Sequence, residues 1–418
     1  MDDRIVITGV GAISPIGLTA EECWQNAING FSGVGPLTLF DTSNYQIHIA
    51  AEVKGFSPEK YIELKDVRRR DRYQQLALAA VQEAVEQSGL NDLPSQKINP
   101  ERIGVVVSSA IGGLTILHEA IGNVLNNEPR RLGPFVIPML MSNGASGLIA
   151  IEYGFQGPCM SVASACASGS DGIGIAWLLI RSGMADIVVT GGSEATITPV
   201  AVGAFDRLGA MSRKNELTGN RYLTPQPFDR DRDGLVIGEG ASILVIEKES
   251  HARKRGVRIL AELAGYASTA DAFHITAPSE DGSGGARAIS LALESASANL
   301  DEVSYINAHG TATSLNDYSE TLAIKKAFGK QAYNIPVSST KSMTGHMMGA
   351  TGALEVLFCM NTIRDGIIPP TINYVTPDPQ CDLDFVPNQA REKEVKTAIS
   401  NAFGFGGHNS VLVLRKYV

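Results

Sequence analysis

Cys166 sits among small residues: Ala163, Ser164, Ala165, Ala167, Ser168 and Gly169, within GPCMSVASACASGSDGIG at 157–174. An apolar, helix-compatible run follows through Trp177 to Ile180. Small neighbours let a turn bring the sulfur to the start of that helix, where the positive end of the dipole favours thiolate over thiol. The competing reading is a small buried hydrophobe, which is what most free cysteines are. Three other stretches set reactive side chains beside glycines. His309 lies in NAHGTAT, after an apolar run that reads as a strand, where open α/β sheets place their sites. Lys341 and His346 share the uncharged stretch SSTKSMTGHMMGATG at 338–352. Such groups are costly to bury unless partnered, which points to function; a phosphate-cradling loop is the alternative, but G-x-x-x-x-G-K-[ST] is missing. In NAFGFGGHN at 401–409, glycines free the Phe405 N–H to approach a ligand as an oxyanion donor, unless the stretch is only a tight turn.

One cysteine and two histidines in separate loops suit acyl transfer through a thioester. The second histidine is surplus for a hydrolase. It makes sense where a carbanion or enolate must be stabilised after an acyl group has been placed on sulfur. A further stretch, FDRDRDGLVIGEGA at 228–241, could pass for a calcium loop but lacks the acidic spacing and terminal glutamate of one. With no nicotinamide fingerprint and no metal-ligand spacing among the cysteines, the protein's own groups are expected to carry the reaction, without metal or cofactor.

The elements that must position these residues read as strands that alternate with helices. Continuous apolar strands are predicted at 4–10, 102–108, 185–192 and 241–247, the first and third ending at glycines, with a short strand-like segment at 45–54. Helices are predicted from the capping box at 19–22 to Ile28 and over 71–88. After a basic helix end at 251–256 the pattern restarts: strands at 258–266, 303–309, 336–339, 397–400 and 410–415, helices at 285–299, 318–328 and 349–365. Apolar strands between helices describe a sheet covered on both faces. The restart divides the chain into 1–256 and 257–418, although no strict repeat is visible.

The whole chain, 418 residues with 44% hydrophobic and 19% charged content, is ordinary for a globular α/β protein of more than one core. A net charge of -9 argues against a general nucleic-acid binder, and no apolar run reaches the length of a membrane span. Five scattered cysteines and a start that leads directly into a strand suggest a cytoplasmic, reducing setting.

Together SVASACASGSDGIG, INAHGTATSLND, SSTKSMTGHMMGATG and NAFGFGGHN resemble the β-ketoacyl-[acyl-carrier-protein] synthases, with the type II branch the best match. The resemblance runs from TGVGAISPIG to the last strand. It implies a thiolase fold, duplicated α/β halves in a five-layered α-β-α-β-α arrangement, and a homodimer. It implies decarboxylative Claisen condensation of acyl- and malonyl-carrier protein to a 3-oxoacyl-carrier protein. Cys166 resembles the nucleophile, and the backbone N–H groups of Cys166 and Phe405 the oxyanion hole. His309 and His346 resemble the pair that binds the malonyl thioester and stabilises the enolate. Lys341 and Glu355 resemble the network behind the second histidine, with Glu355 grouped among substrate contacts. Thr311 and Thr313 stand where the family meets the pantetheine arm, Phe405 resembles a gate, and Ile111 a wall of the acyl pocket.

The basic run Lys65, Arg68, Arg69 and Arg70 is either a solvated helix face or, as in the family, a docking patch for an acidic carrier protein. Two residues depart from the family pattern: His408 replaces a common threonine and Leu235 a common phenylalanine. Competing readings are a polyketide or other secondary-metabolite ketosynthase, or its non-catalytic partner subunit, which lacks the cysteine. A plastid enzyme without its transit peptide would look similar.

Overall fold

In the computed structural model, which describes residues 3–93 and 98–418, the apolar runs form a ten-stranded mixed sheet. Its strands are β1 (Ile5–Ile13), β2 (Ile103–Ser108), β3 (Cys159–Met160), β4 (Ile187–Ala195), β5 (Glu239–Lys248), β6 (Ala261–Ala270), β7 (Val303–Asn307), β8 (Val337–Ser338), β9 (Thr397–Gly404) and β10 (His408–Arg415). The order is β8-β7-β9-β10-β6-β1-β5-β4-β2-β3. Read outward from the middle, β1–β5 and β6–β10 follow the same sequence: first, fifth, fourth, second, third. The two sets meet only at Val6↔Glu262 and Ile7↔Ala261.

Seven helices matter for the site: α1 (Ala20–Ile28), α2 (Arg72–Ser88), α3 (Gly144–Tyr153), α4 (Ser168–Arg181), α5 (Ser283–Ser295), α6 (Ser314–Phe328) and α7 (Thr351–Asp365). Successive strand residues point to opposite faces, so a run that is apolar throughout needs cover on both. Val105, Val107, Ile243 and Val245 join an outer core with Leu76 and Val81 of α2. Val106, Leu244 and Ile246 turn the other way, to a central core with Ile173 and Trp177 of α4 and Leu354 and Phe358 of α7. In the second set Val411 and Val413 face Ile289 of α5 and Ile324 of α6, whereas Leu412 and Leu414 face the central core. The layers are therefore helix, strands, the α4–α7 pair, strands, helix. The thiolase-type arrangement follows from this alternation.

Several boundaries differ from the sequence reading. β1 and β4 do not stop at their glycines. A Cβ at Gly9 would lie 2.2 Å from the Ala84 carbonyl and one at Gly11 2.1 Å from that of Ala80. Those glycines admit α2 close to the sheet and are not turn signals. At Gly192 in β4 a Cβ would meet the Gly349 carbonyl at 2.4 Å. The 45–54 segment forms a strand over Ile49–Ala50, paired with Gly35–Pro36, and adds a single bridge from Ala51 to Gly238. α5 ends before Ala296, because Ser297 turns left-handed (φ 48°) and Asn299 caps the next short turn with Glu302. α6 begins at Ser314, earlier than expected, and a 3-10 turn over Met348–Ala350 precedes α7.

Candidate active site

Cys166 occupies the 3-10 turn Ala165–Ala167 immediately before α4. Its neighbour Ala165 has φ 52°, a left-handed conformation that costs a non-glycine residue free energy and persists only where the surroundings enforce it. Four hydrogen bonds do so. The Ser164 N–H donates to Ser168 Oγ at 3.0 Å, and that hydroxyl donates to the Ala165 carbonyl at 2.6 Å. Ser164 Oγ donates to Asp171 at 2.5 Å, and Tyr266 of β6 donates to the other Asp171 oxygen at 2.9 Å. The Tyr266 ring lies so close to α4 that a Cβ at Gly174 would strike it at 2.2 Å.

His309 stands just past the end of β7. Its N–H and that of Gly310 donate to the two oxygens of Glu320, on α6, at 2.8 and 2.7 Å. His346 follows the short helix Lys341–Thr344, and its N–H donates to the Val236 carbonyl at 2.7 Å. The glycine at 192 admits this turn, bringing it against β4. The Cys166 sulfur and one nitrogen of each ring all lie within 4.8 Å of one another. The imidazoles meet edge to face, with centroids 5.4 Å apart and planes at 84°. All three side chains are buried.

Burial, reinforced by the charge of Lys341, holds both imidazoles well below their ordinary pKa, so both are neutral near pH 7. Burial also pushes the Cys166 thiol up to about 11. The thiolate expected from the helix dipole is thus not the resting form. Desolvation outweighs the helpers, which are the Phe405 N–H, the Lys341 charge and the Cys166 N–H. Both backbone N–H groups nevertheless favour negative charge at this point, as an oxyanion site requires.

Behind the rings, Lys341 Nζ pairs with Glu355 at 2.6 Å, both fully buried. Burial raises Glu355, Glu320 and Glu194 to about 7. Glu194, on β4, accepts from Ser109 Oγ and the Ala110 N–H, both at 2.7 Å, and from the Gly349 N–H at 3.0 Å. It ties the 109–111 loop to the turn that carries His346.

Cys166, His309, His346, Thr311, Thr313 and Phe405 line one cavity of about 250 Å³. Leu235 is also on its wall. Thr311 and Thr313 hydroxyls lie 2.9 Å apart. Glu355 and Lys341 do not reach the wall. Grouping Glu355 with substrate contacts is therefore corrected: it is the counter-ion of Lys341. Ile111 is also apart, 42% exposed and off the cavity wall. His408 is half-buried opposite Gly404 in the β9–β10 pair. The basic run is on the surface, where Lys65 pairs with Glu63 at 2.7 Å and Arg69 with Asp66 at 3.3 Å.

The sequence reading missed Glu320, Glu194 and Asn401, whose side-chain amide donates to Glu320 at 3.1 Å. One signal was available. Asp317, Glu320 and Ile324 recur at helical spacing on the buried face of α6, and an acid on an apolar stripe marks a partnered group.

A cysteine with two imidazoles is also a soft-metal donor set, but the Lys341 charge that disfavours an imidazolium opposes a metal cation equally. The oxygens Asn307 Oδ1, Ser400 Oγ, Asn401 Oδ1 and Glu355 Oε2 are buried without partners among the described residues, and Asn307 is paired with Ser400 across β7 and β9.

A duplicated strand order around two shared helices, with cysteine and paired histidines in one cavity, defines a condensing enzyme. A β-ketoacyl synthase N-terminal domain model matches residues 2–252 and the corresponding C-terminal domain model residues 260–375, and the chain belongs to that family. Among curated relatives, 3-oxoacyl-[acyl-carrier-protein] synthase 2 of Synechocystis sp. is 45% identical over 99% of this chain and 98% of its own. The synthase of the same name from Staphylococcus aureus (strain COL) is 44% identical over the same shares. A solved type II polyketide synthase acyl-carrier protein in complex with its ketosynthase, AntDE:AntF, superposes with a TM-score of 0.91 at 36% identity, covering all of both chains.

Proposed function

We propose that this chain extends acyl chains in fatty-acid synthesis by condensing acyl-[acyl-carrier-protein] with malonyl-[acyl-carrier-protein], releasing CO2 and 3-oxoacyl-[acyl-carrier-protein]. The observation that carries the reading is the cysteine beside two neutral, buried histidines on the wall of one cavity. Cys166 Sγ attacks the acyl thioester, its proton passes to the departing carrier thiol, and the Phe405 and Cys166 N–H groups stabilise the tetrahedral oxyanion. Malonyl-carrier protein then enters. As its C–C bond to the carboxylate breaks, the electron pair moves into an enolate whose oxygen accepts hydrogen bonds from His309 and His346. The carbanion attacks the Cys166 thioester, and the sulfur leaves as a thiolate that takes up one proton from solvent water. Neutral rings suit this task, since a neutral donor stabilises the enolate without protonating its carbon. The higher identity to the two 3-oxoacyl-[acyl-carrier-protein] synthases named above than to the polyketide ketosynthase supports a fatty-acid pathway over a polyketide one.

The carrier protein is the proposed partner, with Lys65, Arg68, Arg69 and Arg70 as the docking patch. The complex with an acyl-carrier protein in the AntDE:AntF structure supports this choice. A second copy of this chain is the other partner. The exposed apolar side chains Leu125, Ile137, Ile151 and Met160 and the unpaired outer edge of β3 support a homodimer that also covers Ile111. No helix among the described residues is long and apolar enough to cross a membrane, and the cytoplasm is the proposed location. The test is mass-resolved product analysis with an acyl-carrier-protein series and malonyl-carrier protein, with Cys166→Ala in parallel. Products two carbons longer, formed only with Cys166 intact, are expected. A wild-type protein that neither takes up acyl groups nor releases CO2 would overturn the reading.

A further inference from the structure

The FDRDRDG stretch takes no part in the chemistry above and does not line the cavity, yet it contains an arginine whose side chain is largely buried. The Arg232 side chain is 6% exposed. Its Nε donates to the Thr313 carbonyl at 3.4 Å and its Nη2 to the Ser314 carbonyl at 3.2 Å, both cavity-wall residues. Its Nη1 donates to Asp378 at 2.6 Å and to the Asp229 carbonyl at 2.8 Å. Asp317, 3.9 Å from Arg232, receives the Ala312 N–H at 3.2 Å and the Phe228 N–H at 2.7 Å. Ala312 and Phe228 both have left-handed backbones, with φ 68° and 63°. A loop with such a residue between two ligand-facing threonines holds its shape only if its polar groups are fixed from outside.

We propose that Arg232, with Asp317 and Asp378, is the positioning device for the cavity wall formed by Thr311, Thr313 and Ser314, and so sets how well this enzyme receives the pantetheine arm of its carrier-bound substrates. The proposal rests on the condensing function inferred above. A planar fork with donors on three nitrogens can address two successive carbonyls and a carboxylate together, which an ammonium cannot do. Apolar residues would pack this interior at lower desolvation cost, so the retained ion cluster is explained by the loop geometry it imposes.

The test is Arg232→Lys, with Asp378→Asn as a milder second variant. Condensation kinetics with acyl-carrier protein are compared with acylation of Cys166 by an S-ethyl acyl thioester, which has no arm. The expected result is a KM for the carrier-bound substrate raised about tenfold with kcat nearly unchanged, and acylation by the armless thioester unaltered. Asp378→Asn gives the same split at smaller size. Parallel loss with both substrates, or an unchanged KM in a folded variant, overturns the proposal and leaves Arg232 a structural residue. A wild-type enzyme acylated by the ethyl thioester but forming no 3-oxoacyl product overturns the functional reading instead.

Discussion

Nδ1 of His346 accepts the Met348 backbone N–H at 3.1 Å. A neutral imidazole that accepts at Nδ1 carries its proton on Nε2. That atom is buried without a partner among the described residues. The tautomer is therefore set by the backbone of the same turn, and the ring presents a ready hydrogen-bond donor toward the cavity.

Replacement of His346 should follow this geometry. A glutamine amide places an N–H near the Nε2 position, whereas alanine leaves none. Release of CO2 from malonyl-carrier protein should fall about 10²–10³-fold in His346→Ala, the usual loss of an oxyanion donor, and distinctly less in His346→Gln. Equal loss in both would separate the donor role from the residue.

Cys166→Ala should abolish acyl uptake while the histidine pair still releases CO2 from malonyl-carrier protein. Since the thiol is pushed up to about 11, alkylation of wild-type Cys166 by iodoacetamide should rise steadily between pH 7 and pH 10. A plateau reached below pH 8 would mean a resting thiolate. Mass spectrometry of the labelled peptide reads both.

Lys341→Met removes the charge that depresses both imidazoles. A cation is easier to form beside a lost positive charge, so the pKa of each ring rises. The acid limb of the kcat/KM profile should move to higher pH. The same change strands Glu355, already raised to about 7, which should take up a proton and soften the stability loss. Adding Glu355→Gln should change denaturant stability little beyond Lys341→Met alone, while the pH shift persists.

Gly192→Ala should injure activity more than the fold. Its Cβ would press on the Gly349 carbonyl at 2.4 Å and displace the turn that holds His346. Overpacking of this kind costs about 1–3 kcal/mol, readable as a lower denaturation midpoint. CO2 release should drop while the enzyme stays folded, by less than in His346→Ala, because the donor is moved and not removed.

Much of this was legible in the chain. Val105 and Val106 in one uninterrupted apolar run already require cover on both faces, which is the layered fold. The glycine-flanked loops of Cys166, His309 and His346 carry side chains with little local reason to be there, and the strand ends bring them to one cavity. What was not legible depends on distance across the fold. Gly9 and Gly192 read as stops, because nothing in the local sequence says that Ala84 or Gly349 will approach them. The ionisation of Cys166 was misjudged since the dipole is a local property and burial is not. Glu355 was placed one layer too close to substrate for the same reason, as its partner Lys341 fixes its depth.

The α4–α7 pair has a consequence for how this enzyme fails. Both helices are enclosed by strands from each part of the chain, so each strand set lacks an inner wall without the other's helix. The turn of Cys166 opens α4, and the turn after His346 opens α7. Damage far from the cavity therefore reaches it by melting a shared wall. Denaturation should proceed as one cooperative step in which the near-ultraviolet signal and the turnover number disappear together, leaving no partly folded enzyme that still works.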